Sequence, residues 1–385
     1  MQSLKGTSPD VLVIGAGPAG AFAARLLARA GVGVLLVDRA RFPRSKVCGG
    51  CLAGPGFEVL ARDGLSSIPA LRGARRVGRL HLCASGRTLD IPLPEYRVVD
   101  RALFDRDLVE AGVAEGVEFH DRTRACVEPG GWVRLSPAGI KEAAPVRISP
   151  RAVLVAGGLK GDALRSHPGF SWHTRPGSLV GLGAMASGLP DACPRDAVTM
   201  MHGAQGYAGV APLHDGRALI AAAVSPAWLA RNRSGPPLLA LLDDLGVASI
   251  GKALLGPTRG VPMLTRRRSA VEAEARVFVI GDAAGYIEPF TGEGMTWALE
   301  SAGRVVPCVL DAVRGRYEPG AWTATFRRGR WRRTILCRST ASLLKSPCAM
   351  RAVVALCGGR AGLTAGLGGI VRRLQCPGSS MIGSA

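Results

Sequence analysis

Acidic residues are scarce in this chain: 29 Asp and Glu stand against 49 Lys and Arg, a net charge of +20. The excess is almost all arginine, with very few lysines. Such a charge needs a negative counterpart, and four classes qualify: anionic lipid headgroups, an acidic carrier protein, phosphorylated substrates or nucleic acid. A leader sequence is not expected either. The first apolar run, Val11 to Ile14, is far too short for the core of a signal peptide and leads straight into glycines. Ten cysteines in a chain of 385 residues are then expected to be reduced, cytoplasmic thiols, not a disulfide framework. Cys48-Gly49-Gly50-Cys51 is the single CxxC, and no second pair or HxxxH stands at zinc spacing, so no metal is expected. With 47% apolar and 20% charged residues, disorder is excluded. The length suits two domains, or one α/β domain with large insertions.

What is present begins at Asp10. Val11-Leu12-Val13-Ile14 reads as a strand, followed by Gly15-Ala16-Gly17-Pro18-Ala19-Gly20 and an alanine-rich helix to about Ala30. Val32 to Val37 supply a second strand, and Asp38 closes it 23 residues after Gly15. This is the dinucleotide fingerprint in its required context. Gly15 makes the turn, Gly17 lets a pyrophosphate approach, Gly20 packs helix on strand, and Asp38 accepts from ribose hydroxyls.

A second element lies far along the chain. Arg276 to Ile280 reads as a buried strand and runs into Gly281-Asp282, then through Pro289, Gly292, Glu293 and Gly294 to a helix from Met295 to Ala312. Asp282 sits at the strand's carboxyl end, where open α/β sheets place ligands. The helix start offers bare N–H groups and a positive dipole end. Gly292 and Gly294 let a flat ring lie against the backbone. An ordinary glycine-rich turn is the plain alternative. Since no other GxGxxG follows a strand, the pairing of the two elements selects FAD over NAD.

With Phe42-Pro43-Arg44-Ser45-Lys46-Val47-Cys48-Gly49-Gly50 and Val99-Asp100-Arg101 with Phe104-Asp105 between them, these segments give the chain a resemblance. It resembles the FAD-dependent oxidoreductases of the geranylgeranyl reductase family, within the para-hydroxybenzoate hydroxylase-like flavoproteins; related halogenases are near cousins. The resemblance implies that Arg39, Arg44, Lys46, Gly49, Gly50 and Arg101 join Pro18, Ala19, Gly281 and Met295 in holding FAD. It puts the Cys48 thiol beside the ring, as a catalytic candidate or as a small buried residue. Where relatives usually carry Asp-Gly this chain has Gly157-Gly158, with Asp162 close by. That departure weakens a nicotinamide-dependent hydroxylase reading and leaves the reductant open, NAD(P)H or a ferredoxin-like donor. The tryptophans never fall in the Trp-x-Trp-x-Ile-Pro pattern a halogenase would need.

The expected fold is α/β: a Rossmann-like FAD-binding domain (8–66, 96–166 and 275–312) with an inserted antiparallel-sheet substrate domain (67–95 and 167–274). Tyr207, Met200, Met201 and His202 are candidates for its lining, and Ala227–Asp244 reads as one helix. Residues 313–385 read as a basic, apolar, helical region, with helices at Thr334–Leu344 and Met350–Leu374. No nucleic-acid docking motif accompanies its Phe326–Arg333 cluster. A transmembrane helix at Ala352–Val371 has the length, but Arg360 and six glycines interrupt it. A peripheral cap on an anionic membrane surface fits charge and apolarity together. The expected activity is reduction of a carbon–carbon double bond in an isoprenoid or lipid-like apolar substrate. The alternatives are monooxygenation of an aromatic or polyketide-like metabolite and a non-catalytic lipid-binding flavin fold. The oligomeric state is left open.

Overall fold

Short strands dominated by valine, isoleucine and leucine build a parallel sheet. Its spatial order is Val277–Val279, Ala152–Val155, Val11–Ile14, Val34–Val37, Glu118–His120, with Glu272–Ala273 antiparallel at one edge. Every residue of the Val11–Ile14, Val34–Val37 and Ala152–Val155 strands is buried, as a sheet covered on both faces requires. The computed structural model describes residues 9–140, 144–232, 235–274, 276–287, 292–329, 347–357 and 363–369. Pro289 and the helix expected at 334–344 lie outside the described residues.

The chain leaves the Val11–Ile14 strand toward Val34–Val37 and returns on its other side as Ala152–Val155. The strand order therefore reverses beside Val11–Ile14, and the crevice at the carboxyl ends opens there. The helices Pro18–Arg29, Arg101–Val113 and Gly294–Val313 pack together against the sheet. A further helical stretch, 321–329, is pinned to it: Trp322 is fully buried, and its indole N–H donates to the Val279 carbonyl at 3.1 Å.

The second sheet has eight strands, in the order Leu254–Val261, Val180–Ala186, Ala218–Val224, Gly206–Pro212, Ala197–His202, Arg75–Ala84, Arg87–Val98, Cys51–Ala53. Its neighbours run antiparallel except where Ala197–His202 lies parallel to Arg75–Ala84. So the sheet draws on Cys51–Ala53 and Tyr96–Val98 as well as the two inserted stretches. One face is covered by Trp228, Leu238, Leu241 and Ile250, from three short helices. Ala227–Asp244 is not a single helix: Pro226–Arg231 and Pro237–Asp244 are separate, because Gly235-Pro236-Pro237 breaks the ladder between them. The opposite face turns toward the parallel sheet, and a cavity lies between.

Candidate functional site

One cavity of about 500 Å³ runs from the Gly15–Ala19 turn, past the Gly157–Ala163 turn and Asp282, to the inner face of the eight-stranded sheet. Two helices open their N-termini onto it. Pro18–Arg29 and Gly294–Val313 have no side chain capping their first turn, so their leading N–H groups remain available as donors.

The dinucleotide end is built by close approach. Gly15 has φ +103°, and a Cβ on it would lie 2.6 Å from the Ala156 carbonyl oxygen. A Cβ on Gly20 would overlap the Gly15 carbonyl oxygen, which fixes the helix against its own entry turn. Gly17 has open space instead, and the guanidinium groups of Arg44 and Arg101 stand 3.5 and 3.9 Å from where its Cβ would be. Asp105 holds both. It is fully buried and accepts from Arg101 Nε and Nη2, each at 2.9 Å, while Arg44 Nη1 approaches at 3.1 Å. Burial opposes the charge on Arg101, but Asp105 and Cys48 outweigh it and hold the group above its ordinary value. Asp38 accepts from the Ala16 and Ala40 N–H groups at 2.9 Å each, which aims its carboxylate into the crevice. Arg39 lines the rim and pairs with Asp162 across it.

Toward the middle, Lys46 Nζ lies 2.8 Å from the position of a Gly158 Cβ. Burial pushes its ammonium below the usual lysine range, and Arg101 and Arg44 push the same way against Asp282 and Asp105. Cys48 Sγ accepts from Gly50 N–H at 3.4 Å, and Cys51 Sγ donates to the Gly49 carbonyl at 3.4 Å. Burial, and then the Cys48 charge, push the Cys51 thiol up to about 12, so it stays protonated at neutral pH. Gly157 has an ordinary φ of −68°, and a Cβ placed on it would meet nothing within 4 Å, so the backbone would accept a side chain there. The missing carboxylate at this position is therefore not imposed by the turn.

The far end is an apolar chamber lined by Leu80, Leu93, Tyr96, Val198, Met200 and Tyr207. Of the expected lining, Tyr207 and Met200 face it. Met201 points to the opposite face of its strand and is buried with Trp228 and Leu238, and His202 lies outside the lining.

The structure thus gathers Gly15, Gly17, Pro18, Ala19, Asp38, Arg39, Arg44, Lys46, Cys48, Gly49, Arg101, Asp282, Gly292, Gly294 and Met295 around one cavity. Gly20, Gly50, Gly281 and Glu293 stand behind its wall, where the first three shape turns and close contacts. Sequence reasoning missed Asp105 as a site residue, although its spacing of four from Arg101 on a helix was a usable signal. It also missed Thr123–Ala125 and Arg259–Val261, which lie on strands with no motif of their own.

Bare N–H groups and two fixed guanidiniums suit a pyrophosphate, and a carboxylate one strand-end away suits a polyol chain. Glycines without side-chain cover suit a flat ring. These features fit FAD, and the fold and site define an FAD-dependent flavoprotein. Residues 8–130 match the family model described as an FAD binding domain. A menaquinone reductase of Mycolicibacterium smegmatis is 28% identical, over 89% of this chain and 86% of its own. Digeranylgeranylglycerophospholipid reductase 1 of Methanopyrus kandleri is 28% identical, over 75% of this chain and 77% of its own. The flavin-dependent brominase Bmp2 shares the fold with a TM-score of 0.80 at 17% identity, covering 96% of this chain and 94% of that one. The chain is an FAD-dependent oxidoreductase with an FAD binding domain over residues 8–130, similar along most of its length to these two reductases.

Proposed function

We propose that the protein reduces a carbon–carbon double bond of an isoprenoid or other lipid-like substrate. The observation that carries this reading is the apolar chamber, continuous with the dinucleotide crevice and walled by Leu80, Leu93, Val198 and Met200. The names of the two reductases similar to this chain support it. Bound FAD supplies the hydride chemistry.

The residues have separate tasks. Arg44, Arg101 and the N–H groups after Gly17 would hold the pyrophosphate, and Asp38 the adenosine ribose. Asp282 would hold the ribityl hydroxyls. The start of Gly294–Val313 favours negative charge at the edge of the ring system. Lys46 adds a cation whose charge is costly in its buried position and is offset by an anionic neighbour. The chamber excludes water from the reacting carbons. Cys48, in the wall between crevice and chamber, is the candidate for contact with substrate. The reductant is NAD(P)H or a ferredoxin-like donor. A substrate of this kind resides in a bilayer, so the same reading puts the protein at an anionic membrane surface on the cytoplasmic side.

Mass spectrometry of lipid extracts from native cells with and without the gene tests the reaction. Loss of species heavier by two hydrogens is the expected result. Loss of species heavier by one oxygen would replace the reductase with a monooxygenase.

A further inference from the structure

The described parts of the C-terminal region form a two-sided cap. On the inner side, Val354 is buried, and Val353, Cys357 and Leu367 pack with it against the cluster that contains Leu80, Tyr96, Val198 and Met200. Gly368 comes so close to the Arg87–Val98 strand that a Cβ would lie 2.7 Å from the Pro92 carbonyl oxygen. The cap thus backs onto residues that line the apolar chamber, without itself lining it.

Its outer side departs from what water selects. Leu356 is 60% exposed and Leu363 46%, and the other exposed described positions are Ala352, Ala355, Ala365 and glycines. A helix face in water ordinarily carries charged and polar residues. No charged side chain stands among these. The charge lies around them in the sequence: from residue 319 to the end there are eleven Arg and Lys and no Asp or Glu. An apolar face set within an exclusively basic segment fits the interfacial layer of an anionic bilayer, where apolar side chains enter the headgroup boundary and cations meet lipid phosphates. A second copy would bring the same positive segment and be repelled. Nucleic acid would match the charge and leave the leucines in water. Among the described residues no helix is long and apolar enough to cross a membrane, so the geometry is that of resting on the surface.

We infer that the outer face of residues 352–357 and 363–369, centred on Leu356 and Leu363, is a docking surface for an anionic membrane. This deepens, and rests on, the membrane-surface reading above. Because the inner face of the same cap packs against residues that line the chamber, docking holds that side of the chamber close to the bilayer and shortens the route of an apolar substrate to the site.

The test is co-sedimentation of the FAD-loaded protein with vesicles of phosphatidylcholine alone or mixed with phosphatidylglycerol. The wild type is expected to bind the mixed vesicles. The double variant Leu356→Glu/Leu363→Glu is expected to bind at least tenfold more weakly with unchanged flavin content. Leu255→Glu, on an exposed edge strand, is expected to bind as the wild type does. Failure of the wild type to bind mixed vesicles overturns the inference, as does equal binding by the double variant. Self-association that the double variant abolishes, with no vesicle binding, overturns it in favour of a second copy. Vesicle binding alongside an unchanged cellular lipid pool supports the docking surface and overturns only the substrate reading.

Discussion

Asp105 accepts two hydrogen bonds from Arg101 one helical turn before it, both at 2.9 Å, without any exposure to solvent. Arg44 reaches the same carboxylate from a loop far away in sequence. One buried anion therefore orients two cations that face the open backbone at Gly17. Asp105→Asn takes from Arg101 its counter-charge and leaves Arg44 with Asp38 alone, at 3.5 Å. Breaking such a buried pair costs about 3–5 kcal/mol. We expect the FAD dissociation constant to rise at least tenfold, read by flavin fluorescence titration. Urea unfolding of the same variant separates lost stability from lost binding, and unchanged affinity would remove Asp105 from the site.

The glycines of the crevice are not equivalent. Gly20→Ala drives a methyl group into the Gly15 carbonyl, so it should abolish FAD retention or yield insoluble protein. Gly157→Ala meets nothing within 4 Å at an ordinary φ and should change stability by less than about 1 kcal/mol. Flavin absorbance per mole of purified protein compares the two. Equal outcomes would contradict the packing.

Lys46 contributes oppositely to stability and to binding. Burial, then Arg101 and Arg44, hold its folded-state pKa below the ordinary 10.5. The folded chain then binds this proton less tightly than the unfolded chain. The resulting destabilisation is fully present below the depressed value and fades as pH rises toward 10.5. Lys46→Met should raise the melting temperature of cofactor-stripped protein at neutral pH and weaken FAD binding about tenfold. A fall in melting temperature would show that the ammonium is stabilised by its acidic neighbours instead.

Cys51 gives a second signature, in the alkaline range. Its thiol ionises near 9.0 in the unfolded chain and at about 12 in the folded one. Stability linked to the protonated thiol is complete below 9.0 and is lost as pH climbs through that window. Cys51→Ala should flatten this fall, measured as urea midpoints across the window relative to the wild type. The same burial predicts that Cys51 resists alkylation in the folded protein at pH 8. Rapid labelling at that pH would contradict it.

The two ends of the FAD crevice were legible because each carries its signature locally. Gly15, Gly17, Gly20 and Asp38 sit at spacings that one strand, one turn and one helix dictate, and Gly292 and Gly294 precede a helix of unmistakable length. Met201 was misread because period-two alternation had no phase reference: only the packing of Trp228 and Leu238 tells which face of Ala197–His202 is covered. The Leu254–Val261 strand was invisible because Gly256, Pro257 and Gly260 dilute the usual pattern at a sheet edge. Asp105 stood in a matching segment, yet its task depends on Arg44, which only the fold brings within reach.

The interleaving of the two sheets has a consequence for biosynthesis. Val277–Val279 docks beside Ala152–Val155, and the helix Gly294–Val313 that completes the crevice follows it, while five of the eight strands of the second sheet, from Val180 to Val261, are translated in between. A nascent chain that has emerged only through Val155 has the fingerprint turn but lacks the opposite half of the ring site. Cofactor capture is therefore a late event on the ribosome, and truncation ahead of Gly294 removes flavin retention however well the leading Rossmann strands assemble.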